Sequence, residues 1–279
     1  MRSLLNDSFK LRYKALPIAT SRSVGFAATL PHNHSEFEII SIDVGHSEIR
    51  AGNEVISAKA GDVVFINPME IHSVTTDKSS DYRHRCICLD TSIIGDVSLA
   101  KGLKNERAAT VHFIDGSSAH AVAIRGRFNE IFDAAESDTE ASKIEIPAFT
   151  TLLFSYLFKN RLINDGSPKK KNSAFCRRIL DYIAENYGKK ITSRQVSEAL
   201  SYDQSYFCRA FKEKFGLNFS DYVNMYRISM SRKYLEDGLS ISETSSSCGF
   251  TSPEYFSRMF KKQYGIPPSK YKKVNTVQK

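Results

Sequence analysis

The stretch YFSRMFKKQYG, from Tyr255 to Gly265, repeats the pattern of YFCRAFKEKFG, which runs from Tyr206 to Gly216, 49 residues earlier. Six of the eleven positions are identical in the two stretches. Two copies are too few for a solenoid, which needs at least three stacked repeats. The repetition therefore indicates one supersecondary unit that the chain uses twice for the same task.

A short helical pattern and a turn precede each copy of the repeat. ITSRQVSEAL and SYDQ come before the first copy, and ISETSSSCGF and TSP come before the second. The patterns predict one helix from Gln204 to Phe215, ended by Gly216, and another from Pro253 to Tyr264, ended by Gly265. A helix, a tight turn and a second helix form the helix-turn-helix arrangement of DNA-binding proteins.

Between the two units, SDYVNMYRISMSRKYL predicts one long connecting helix from Ser220 to Leu235. Ser220 is its expected N-cap, and Gly238 lies beyond its end. The first unit begins with a helix for which Thr192 or Ser193 is the expected cap. These elements make the C-terminal part all helical.

Side chains placed at 100° per residue divide each repeated helix into an apolar face and a polar face. The packing faces hold Phe207, Ala210, Phe211 and Phe215 in the first copy, and Phe256, Met259 and Phe260 in the second. The outward faces hold Ser205, Cys208, Arg209 and Lys212 in the first copy, and Glu254, Ser257, Arg258 and Lys261 in the second. Arginine can bind guanine through two hydrogen bonds, and lysine suits phosphates. A single basic helix is more often a solvated surface, but two matched copies favour DNA recognition.

Charge is distributed unevenly along the 279 residues, which carry a formal net charge of +8. From Lys169 to the end, 21 Lys and Arg stand against 10 Asp and Glu, whereas the preceding residues carry 18 against 21. A basic excess in one domain is typical of a nucleic-acid partner. NDGSPKKKNS is typical of a linker, which predicts a sensing domain at 1–163, a linker at 164–173 and a DNA-binding domain at 174–279.

The last hundred residues resemble the AraC/XylS family of bacterial transcription regulators. YFCRAFKEKFGLNFSDYVNMYRI, GFTSPEYFSRMFKKQYGIPPSKY and the spacing between them carry the resemblance. It implies two helix-turn-helix units whose second helices enter successive major grooves of double-stranded promoter DNA, and it implies contact with RNA polymerase and activation. The chain departs from the family at Ser197 and Ser245, where alanine is usual, and at Thr244, where an apolar residue is usual.

The N-terminal half is rich in extended, β-branched runs such as EFEIISIDVG and YRHRCICLD. PHNHSEFEIISIDVG and AGDVVFINPMEIH resemble the two motifs of cupin barrels, which form the ligand-sensing domain of many AraC-like regulators. The expected fold is thus α+β in two domains: an antiparallel, cupin-like β-barrel with packing helices, then the double helix-turn-helix. The helical patterns AHAVAIRGRFNEIFDAA and IPAFTTLLFSYLFKNRL supply the packing helices.

A histidine-carboxylate set marks the candidate ligand site of the barrel. It consists of His32, His34, Glu38 and His72. These groups are able to hold a divalent metal, or to contact an organic ligand at the barrel mouth. PMEIH lacks the cupin glycine and is one residue short, so we assign no metal and no cofactor. His84, Cys86 and Cys88 alternate on one strand, and we interpret both cysteines as buried structural residues.

Three classes of function remain to be separated. A cytoplasmic, ligand-responsive transcription regulator explains both halves, and we expect no enzymatic activity and no membrane partner. A metal-dependent cupin enzyme with a basic appendage leaves the duplicated helices unexplained, and a non-specific architectural DNA-binding protein needs no duplicated polar faces. A homodimer is compatible with the stripe Phe149, Leu152, Leu153 and Tyr156, which equally suits core packing.

Overall fold

The computed structural model describes residues 16–25, 29–76, 81–105, 107–165 and 172–271. The chain divides into two units, residues 1–173 and 174–279. Both ends of the predicted linker carry secondary structure, since a strand covers Ile163–Asp165 and a helix covers Asn172–Asn186. Residues 166–171 lie outside the described residues, and the predicted domain boundaries stay a prediction.

Within the described residues, unit one is built from ten strands, three α-helices and one short 3-10 helix at Thr91–Ile93. The strands are β1 (Ile18–Val24), β2 (Phe37–Val44), β3 (His46–Ala51), β4 (Glu54–Lys59), β5 (Val63–Ile66), β6 (His72–Thr75), β7 (Arg83–Leu89), β8 (Ala108–Thr110), β9 (Phe113–Ile114) and β10 (Ile163–Asp165). The helices are α1 (Val97–Lys104), α2 (Ala119–Ser137) and α3 (Ser142–Lys159). The helical patterns found in the sequence are confirmed at α2 and α3.

The predicted α+β class is confirmed, but the strands of unit one form antiparallel sheets rather than the closed barrel that we expected. One sheet has the order β1-β7-β2-β5-β9, a second has the order β4-β3-β6, and β8 pairs with β10. Within the described residues, β6 contacts the segment before β2 through one bridge between His32 and His72 and through hydrogen bonds between Thr29 and Val74. The sheets therefore face each other as a sandwich, because too few rungs join them to close a barrel.

Two apolar layers hold this sandwich together, because β2 and β7 are buried on both faces. Ile40, Ile42 and Cys86 point to the three-stranded sheet and pack against residues such as Ile49. The opposite face of the five-stranded sheet packs against α2 and α3, for example at Phe37 and Phe154, whose ring centroids are 5.1 Å apart. Strands buried on both faces carry apolar residues at consecutive positions, as β2 does at Ile39 and Ile40.

Unit two contains six helices in its described residues, 174–271. The first of these helices begins at Asn172, two residues before the unit. They are α4 (Asn172–Asn186), α5 (Ser193–Ala199), α6 (Gln204–Phe215), α7 (Phe219–Glu236), α8 (Ile241–Ser247) and α9 (Pro253–Tyr264). The predicted bounds of α6 and α9 are confirmed, and Thr192 caps α5. The predicted cap of α7 is wrong: Asn218 accepts the hydrogen bond from Asp221 N, so the helix begins one residue before Ser220. No described helix is long and apolar enough to cross a membrane.

Buried hydroxyl groups distinguish the two short helices α5 and α8. Ser197 in α5 donates its hydroxyl to the carbonyl of Arg194 at 2.9 Å. The hydroxyls of Thr244 and Ser245 in α8 are buried and have no hydrogen-bond partner among the described residues. An unpaired buried hydroxyl costs about 1–3 kcal/mol of stability.

The turn between α8 and α9 packs tightly on the turn between α4 and α5. Gly249 has a φ of 78°, and a Cβ built on it would lie 2.5 Å from the carbonyl oxygen of Tyr187. A Cβ on Gly188 would lie 3.1 Å from the carbonyl oxygen of Ser247. The two backbones therefore approach as closely as glycine allows, and this contact joins the turn that precedes the first helix-turn-helix unit to the turn of the second unit.

We expect Ser245→Ala to stabilise the protein by about 1 kcal/mol, because the variant removes a buried hydroxyl that lacks a partner. Urea unfolding followed by circular dichroism measures the change in the free energy of unfolding. Ser197→Ala is the matched control in the first unit, and because it deletes a satisfied hydroxyl it should give no comparable gain. Equal shifts of the urea midpoint in both variants would contradict this account of α8.

We expect Gly249→Ala to destabilise unit two, residues 174–279, more than Gly238→Ala does. Both glycines have a positive φ, so both variants incur a left-handed strain of about 1–2 kcal/mol. Only at Gly249 would the added Cβ also clash with backbone atoms, since no atom lies within 4 Å of a Cβ at Gly238. Thermal unfolding measures both variants, and equal losses would show that the turn-to-turn contact has little energetic weight.

Candidate DNA interface and buried histidine cluster

The first repeated helix, α6, is fixed at both ends by local hydrogen bonds. Asp203 accepts a hydrogen bond from Tyr206 N at its start, and Gly216 adopts the left-handed conformation at its end. Phe207, Phe211 and Phe215 are buried, and the rings of the last two stack with centroids 4.3 Å apart. The apolar face of α6 is therefore anchored in the core, and the polar face is left outward.

The second repeated helix, α9, uses the same construction. Ser252 caps it by accepting a hydrogen bond from Tyr255 N, and Gly265 ends it in the left-handed conformation. Phe256 and Phe260 are fully buried. The sequence-predicted division into an apolar and a polar face is thus confirmed in both helices, except that Ala210 and Met259 are only half-buried.

The outward residues predicted from the repeat lie on the solvent side of both helices. Seven of the eight are exposed, and Ser257 is half-buried; the exposed ones are Ser205, Cys208, Arg209, Lys212, Glu254, Arg258 and Lys261. The Arg258 guanidinium lies 5.7 Å from the centre of the Tyr255 ring, which restricts its orientation. Glu254 accepts a hydrogen bond from the Ser252 hydroxyl at 2.7 Å, and this bond lowers the pKa of the Glu254 carboxyl.

Arg227 in the connecting helix α7 contacts both the turn after α4 and the turn before α9. Its guanidinium donates to the carbonyls of Tyr187 at 2.8 Å and Lys189 at 2.7 Å, both in the turn after α4. The same guanidinium lies 5.7 Å from the centre of the Phe250 ring, at the start of the turn before α9. One side chain therefore links the turn that precedes the first helix-turn-helix unit to the turn of the second unit. Nothing in the sequence pattern indicates this role.

In unit one, the chain brings the four predicted ligand residues together between the two sheets. Glu38 comes from β2 in the five-stranded sheet, and His72 begins β6 in the three-stranded sheet. His32 and His34 lie in the segment before β2, where His32 forms a backbone bridge with His72. We call His32, His34, Glu38 and His72 the histidine cluster.

Short distances connect the members of the histidine cluster. Oε2 of Glu38 lies 3.1 Å from Nε2 of His34 and 2.9 Å from Nε2 of His72. The ring centroids of His32 and His72 are 4.2 Å apart. Nε2 of His32 is buried and has no hydrogen-bond partner among the described residues. The four side chains thus surround one small polar space.

Backbone carbonyls set the tautomer of each imidazole in the cluster. Nδ1 of His32, His34 and His72 lies 2.7, 3.1 and 2.9 Å from the carbonyl oxygens of Leu30, Glu36 and Glu70, respectively. A carbonyl only accepts, so every Nδ1 carries the proton. The Nε2 atoms face the cluster, where the protonated Nε2 of His34 donates to the Glu38 carboxylate at 3.1 Å.

The electrostatics of the cluster favour a neutral His32 and an ionised Glu38. Burial, with a contribution from the neighbouring His72 and His34, lowers the pKa of His32 to about 3. Burial opposes ionisation of Glu38, but His72 and His34 outweigh it and hold the pKa of that carboxyl well below its usual range. Burial likewise opposes protonation of His34, yet Cys88 and Glu38 raise its pKa well above the usual value.

Two cysteines that the sequence led us to interpret as structural lie beside the cluster. Cys88 pairs with Glu38 across β2 and β7, and Cys86 pairs with Ile40. The Cys86 thiol donates to Oε1 of Glu38 at 2.8 Å, and burial raises its pKa well above the ordinary value. Strand parity placed both thiols on one face, but the sequence did not show that Glu38 lies opposite Cys88.

Two overlapping groups in the cluster could hold a metal ion. Their ligand atoms lie within 4.8 Å of one another in His32, His34 and His72, and again in His34, Glu38 and Cys88. His84 shares the strand face of Cys86 and Cys88 but belongs to neither group, and its ring packs 5.2 Å from that of Tyr82.

A hydrogen-bonded patch next to the cluster leads toward the end of unit one. His112 contacts Glu54 and Glu70 at 2.9 Å each, and both raise its pKa against the opposing effect of burial. Asn67 binds Glu70 and accepts a hydrogen bond from the backbone N of Thr110 at 2.8 Å. This patch connects the segment before β6 with strand β8.

Comparison with known proteins yields matches to both parts of the chain. A family described as a helix-turn-helix domain matches residues 196–273, and one described as an AraC-like ligand binding domain matches residues 25–154. The HTH-type transcriptional regulator YdeC of Bacillus subtilis is 26% identical, over 88% of this chain and 86% of its own length. YdiP of Escherichia coli, another HTH-type transcriptional regulator, is 25% identical over 87% of this chain and 80% of its own length.

Among solved structures, ToxT from Vibrio cholerae has a similar fold, with a TM-score of 0.53 and 16% identity over 95% of this chain and 99% of that one. ToxT has also been solved with (E)-4-(8-methylnaphthalen-1-yl)but-3-enoic acid, and that structure matches with a TM-score of 0.51 and 16% identity over 93% of this chain and 98% of that one. The matches to a helix-turn-helix domain and to an AraC-like ligand binding domain, together with the similarity to YdeC and YdiP, identify the chain as an AraC-type transcriptional regulator.

Proposed function

We propose that the protein recognises a specific promoter sequence with the outward faces of α6 and α9. The observation that carries this proposal is the matched exposure of Arg209 and Arg258 at the same position of two repeated helices. Neither arginine forms an ion pair with another described residue, so both guanidinium groups are available to base edges or phosphates. Two helices in neighbouring major grooves would stand about 34 Å apart along the duplex.

We infer that the two helix-turn-helix units contribute unequally to the recognition of DNA bases. Ser205 and Cys208 in α6 have short side chains, whereas Arg258 in α9 is held against Tyr255 and is flanked by the carboxylate of Glu254. A carboxylate can accept a hydrogen bond from cytosine, and an arginine can bind guanine. The second unit therefore carries more direct base contacts than the first.

We propose that the histidine cluster is the effector site of unit one. It is the place between the two sheets where buried polar atoms converge, and an unpartnered buried nitrogen is an expected feature of a ligand site. ToxT holds an organic acid, so this fold is compatible with a small-molecule ligand. Binding would regulate transcription if it favoured one arrangement of the chain over another.

We also propose a location, a sign of regulation and a protein partner. The protein acts in the cytoplasm as an activator that contacts RNA polymerase next to the promoter, and it catalyses no reaction. The support is membership of a regulator family, together with a fold that is accounted for by DNA recognition and ligand binding. The cupin-enzyme and architectural alternatives each leave one of the two units without a role.

We propose that two copies of the chain form a homodimer through α3. Fewer residues of α3 face a partner than the stripe in the sequence suggested. Leu153 is fully buried in the core of unit one and is not part of a seam. Phe149 and Tyr156 pack partly against that core. Leu152 is 47% exposed, which is unusual for leucine in the middle of a helix, and it is the remaining residue of the stripe that faces solvent.

Replacement of Arg258 tests sequence recognition. We expect Arg258→Ala to weaken binding to a preferred duplex, obtained by selection from random sequences, by about 1–3 kcal/mol, with little effect on random DNA. Lys212→Ala should weaken both about equally and lower the salt dependence by about one charge. Fluorescence anisotropy at several salt concentrations measures these constants.

Lys143→Ala is the charge-matched control for Arg258→Ala, because it removes the same net charge from a lysine that pairs with Glu140 in unit one. It should leave both affinities unchanged. If Arg258→Ala and Lys212→Ala lower all binding alike, the architectural alternative gains and sequence-specific recognition by α9 is refuted.

Sedimentation equilibrium of the full chain tests the dimer. We expect a dimer for the natural protein and a monomer for Leu152→Lys, because a charge would then be buried in an apolar seam. Val55→Lys is the control: Val55 is also about half exposed, at 51%, but lies in the three-stranded sheet, away from the helices. A natural protein that sediments as a monomer would remove the seam.

A further inference from the structure

We propose that Tyr255 is a positioning residue for Arg258, and that Tyr255 is itself fixed by a hydrogen bond from Asn224 in the connecting helix. This inference rests on the proposed recognition of promoter DNA by α9 and adds two residues to it. Arg258 contacts the base, whereas Tyr255 and Asn224 act through Arg258. The first helix-turn-helix unit carries the same tyrosine and arginine in a different setting, which provides a comparison within one chain.

Corresponding positions of the two units lie 49 residues apart, the offset of the repeat. Three pairs at this offset are Tyr206 and Tyr255, Arg209 and Arg258, and Phe175 and Asn224. The tyrosines and the arginines are the same in both units. The third pair differs, because α4 carries an aromatic ring where α7 carries an amide. This difference decides what holds each tyrosine.

In the second unit, the tyrosine is bound to the connecting helix and contacts the arginine. Nδ2 of Asn224 donates to the Tyr255 hydroxyl at 3.3 Å. The Arg258 guanidinium lies 5.7 Å from the centre of the Tyr255 ring, which is within the range of a cation–π contact. Residues three apart on a helix are neighbours on its surface, so the two groups meet at the outward side of α9. Asn224, Tyr255 and Arg258 thus form one connected series.

The nearest carboxylate on α9 does not draw Arg258 away from the tyrosine. A glutamate four residues before an arginine is a favourable ion-pair partner on a helix, and Glu254 stands at that position. Its carboxylate instead accepts a hydrogen bond from the Ser252 hydroxyl at 2.7 Å. Among the described residues no ion pair joins Glu254 to Arg258, so the guanidinium keeps its N–H donors for a base while the ring restricts its orientation.

In the first unit, the corresponding tyrosine packs against other aromatic rings. The Tyr206 ring centroid lies 6.2 Å from that of Phe175 and 6.0 Å from that of Tyr202. In the part of the chain that the structure describes, no cation–π contact joins Tyr206 to Arg209. The Arg209 side chain therefore has more rotational freedom before it binds DNA than the Arg258 side chain has.

An arginine that is ordered before it binds discriminates more strongly between bases than one that is not. Ordering one long side chain on binding lowers the affinity by about 2- to 10-fold, and a side chain already held by a ring loses less freedom. The gain applies only to a base that matches the held orientation, so it raises the affinity for the right base over the wrong ones. Tyr255 supplies this restraint, and Asn224 keeps the Tyr255 ring in place.

Tyr255→Leu in the full-length protein tests the proposal, because leucine keeps an apolar side chain on α9 but offers no ring. The expected result is a loss of about 2- to 10-fold in affinity for the preferred duplex, with unchanged affinity for random DNA. The loss should be confined to the base positions that Arg258→Ala also affects. Tyr255→Phe keeps the ring without the bond from Asn224 and should give a smaller loss. Fluorescence anisotropy with single-base variants of the preferred duplex measures these effects.

Tyr206→Leu is the matched control, because it removes the same ring from the same position of the first repeat. It should leave the preference among bases unchanged. Asn224→Ala should behave like Tyr255→Phe, and the two changes together should have no larger effect than either alone. Thermal unfolding shows whether each variant is folded, and Tyr255→Met replaces Tyr255→Leu if the latter does not fold.

The double variant Tyr255→Leu with Arg258→Ala distinguishes a positioning role from a direct contact between Tyr255 and DNA. If Tyr255 acts through Arg258, the double variant binds like Arg258→Ala alone. A further loss in the double variant, or an unchanged base preference in Tyr255→Leu, would overturn the proposal. If Arg258→Ala itself leaves the base preference unchanged, the proposed recognition by α9 fails. An effect of Arg258→Ala without one of Tyr255→Leu refutes the positioning role alone.

Discussion

The hydrogen bonds from Arg227 to the backbone after α4 are the constraint on which the DNA-binding unit depends. A guanidinium bound to two carbonyls at the end of a helix is favoured by charge, because unsatisfied carbonyls make a helix C-terminus negative. Hydrogen bonds to a charged group contribute about 1.5–3 kcal/mol each. Burial lowers the pKa of Arg227 but leaves a group of this kind charged. The close approach of Gly249 to Tyr187 reinforces the same junction. The junction ties α7, which follows α6 in the chain, to the turn before α9.

Unit one places its polar groups where an ordinary sandwich would be apolar. Residues around them, such as Ile40 and Val64, are fully buried and supply the hydrophobic layer. Replacing an imidazole by an aliphatic side chain would remove the cost of desolvation, so the histidine cluster is not explained by stability. The desolvation cost is concentrated in a few residues that contact one another, which is the pattern expected of a functional site. Its position between the sheets also keeps water away from any ligand held there.

Much of the fold could be predicted from the sequence, because local patterns determine it. The bounds of α6 and α9 follow from their capping residues and their aromatic spacing. The closed barrel was not borne out, since the number of rungs between sheets depends on tertiary pairing. The cupin-like motif grouped His34 and Glu38, but no local pattern placed Cys88 opposite Glu38 or Arg227 beside both turns. Those contacts join residues distant in sequence, and no local pattern encodes them.

Tertiary contacts also connect the histidine cluster to the end of unit one. Nδ1 of His72 donates to the carbonyl of Glu70, whose carboxylate is bound by Asn67. Asn67 in turn accepts a hydrogen bond from the backbone N of Thr110 in β8, which pairs with Ile163 in β10. β10 is the last strand of unit one before α4. A ligand that draws His72 inward must therefore stretch or move a chain of short, directional bonds that ends at the strand preceding residues 166–171. Packed interiors respond to such pulls by switching between discrete arrangements, because they deform little. A ligand that contacts both sheets biases that choice by the difference in its affinity for the two arrangements, and by no more than that difference.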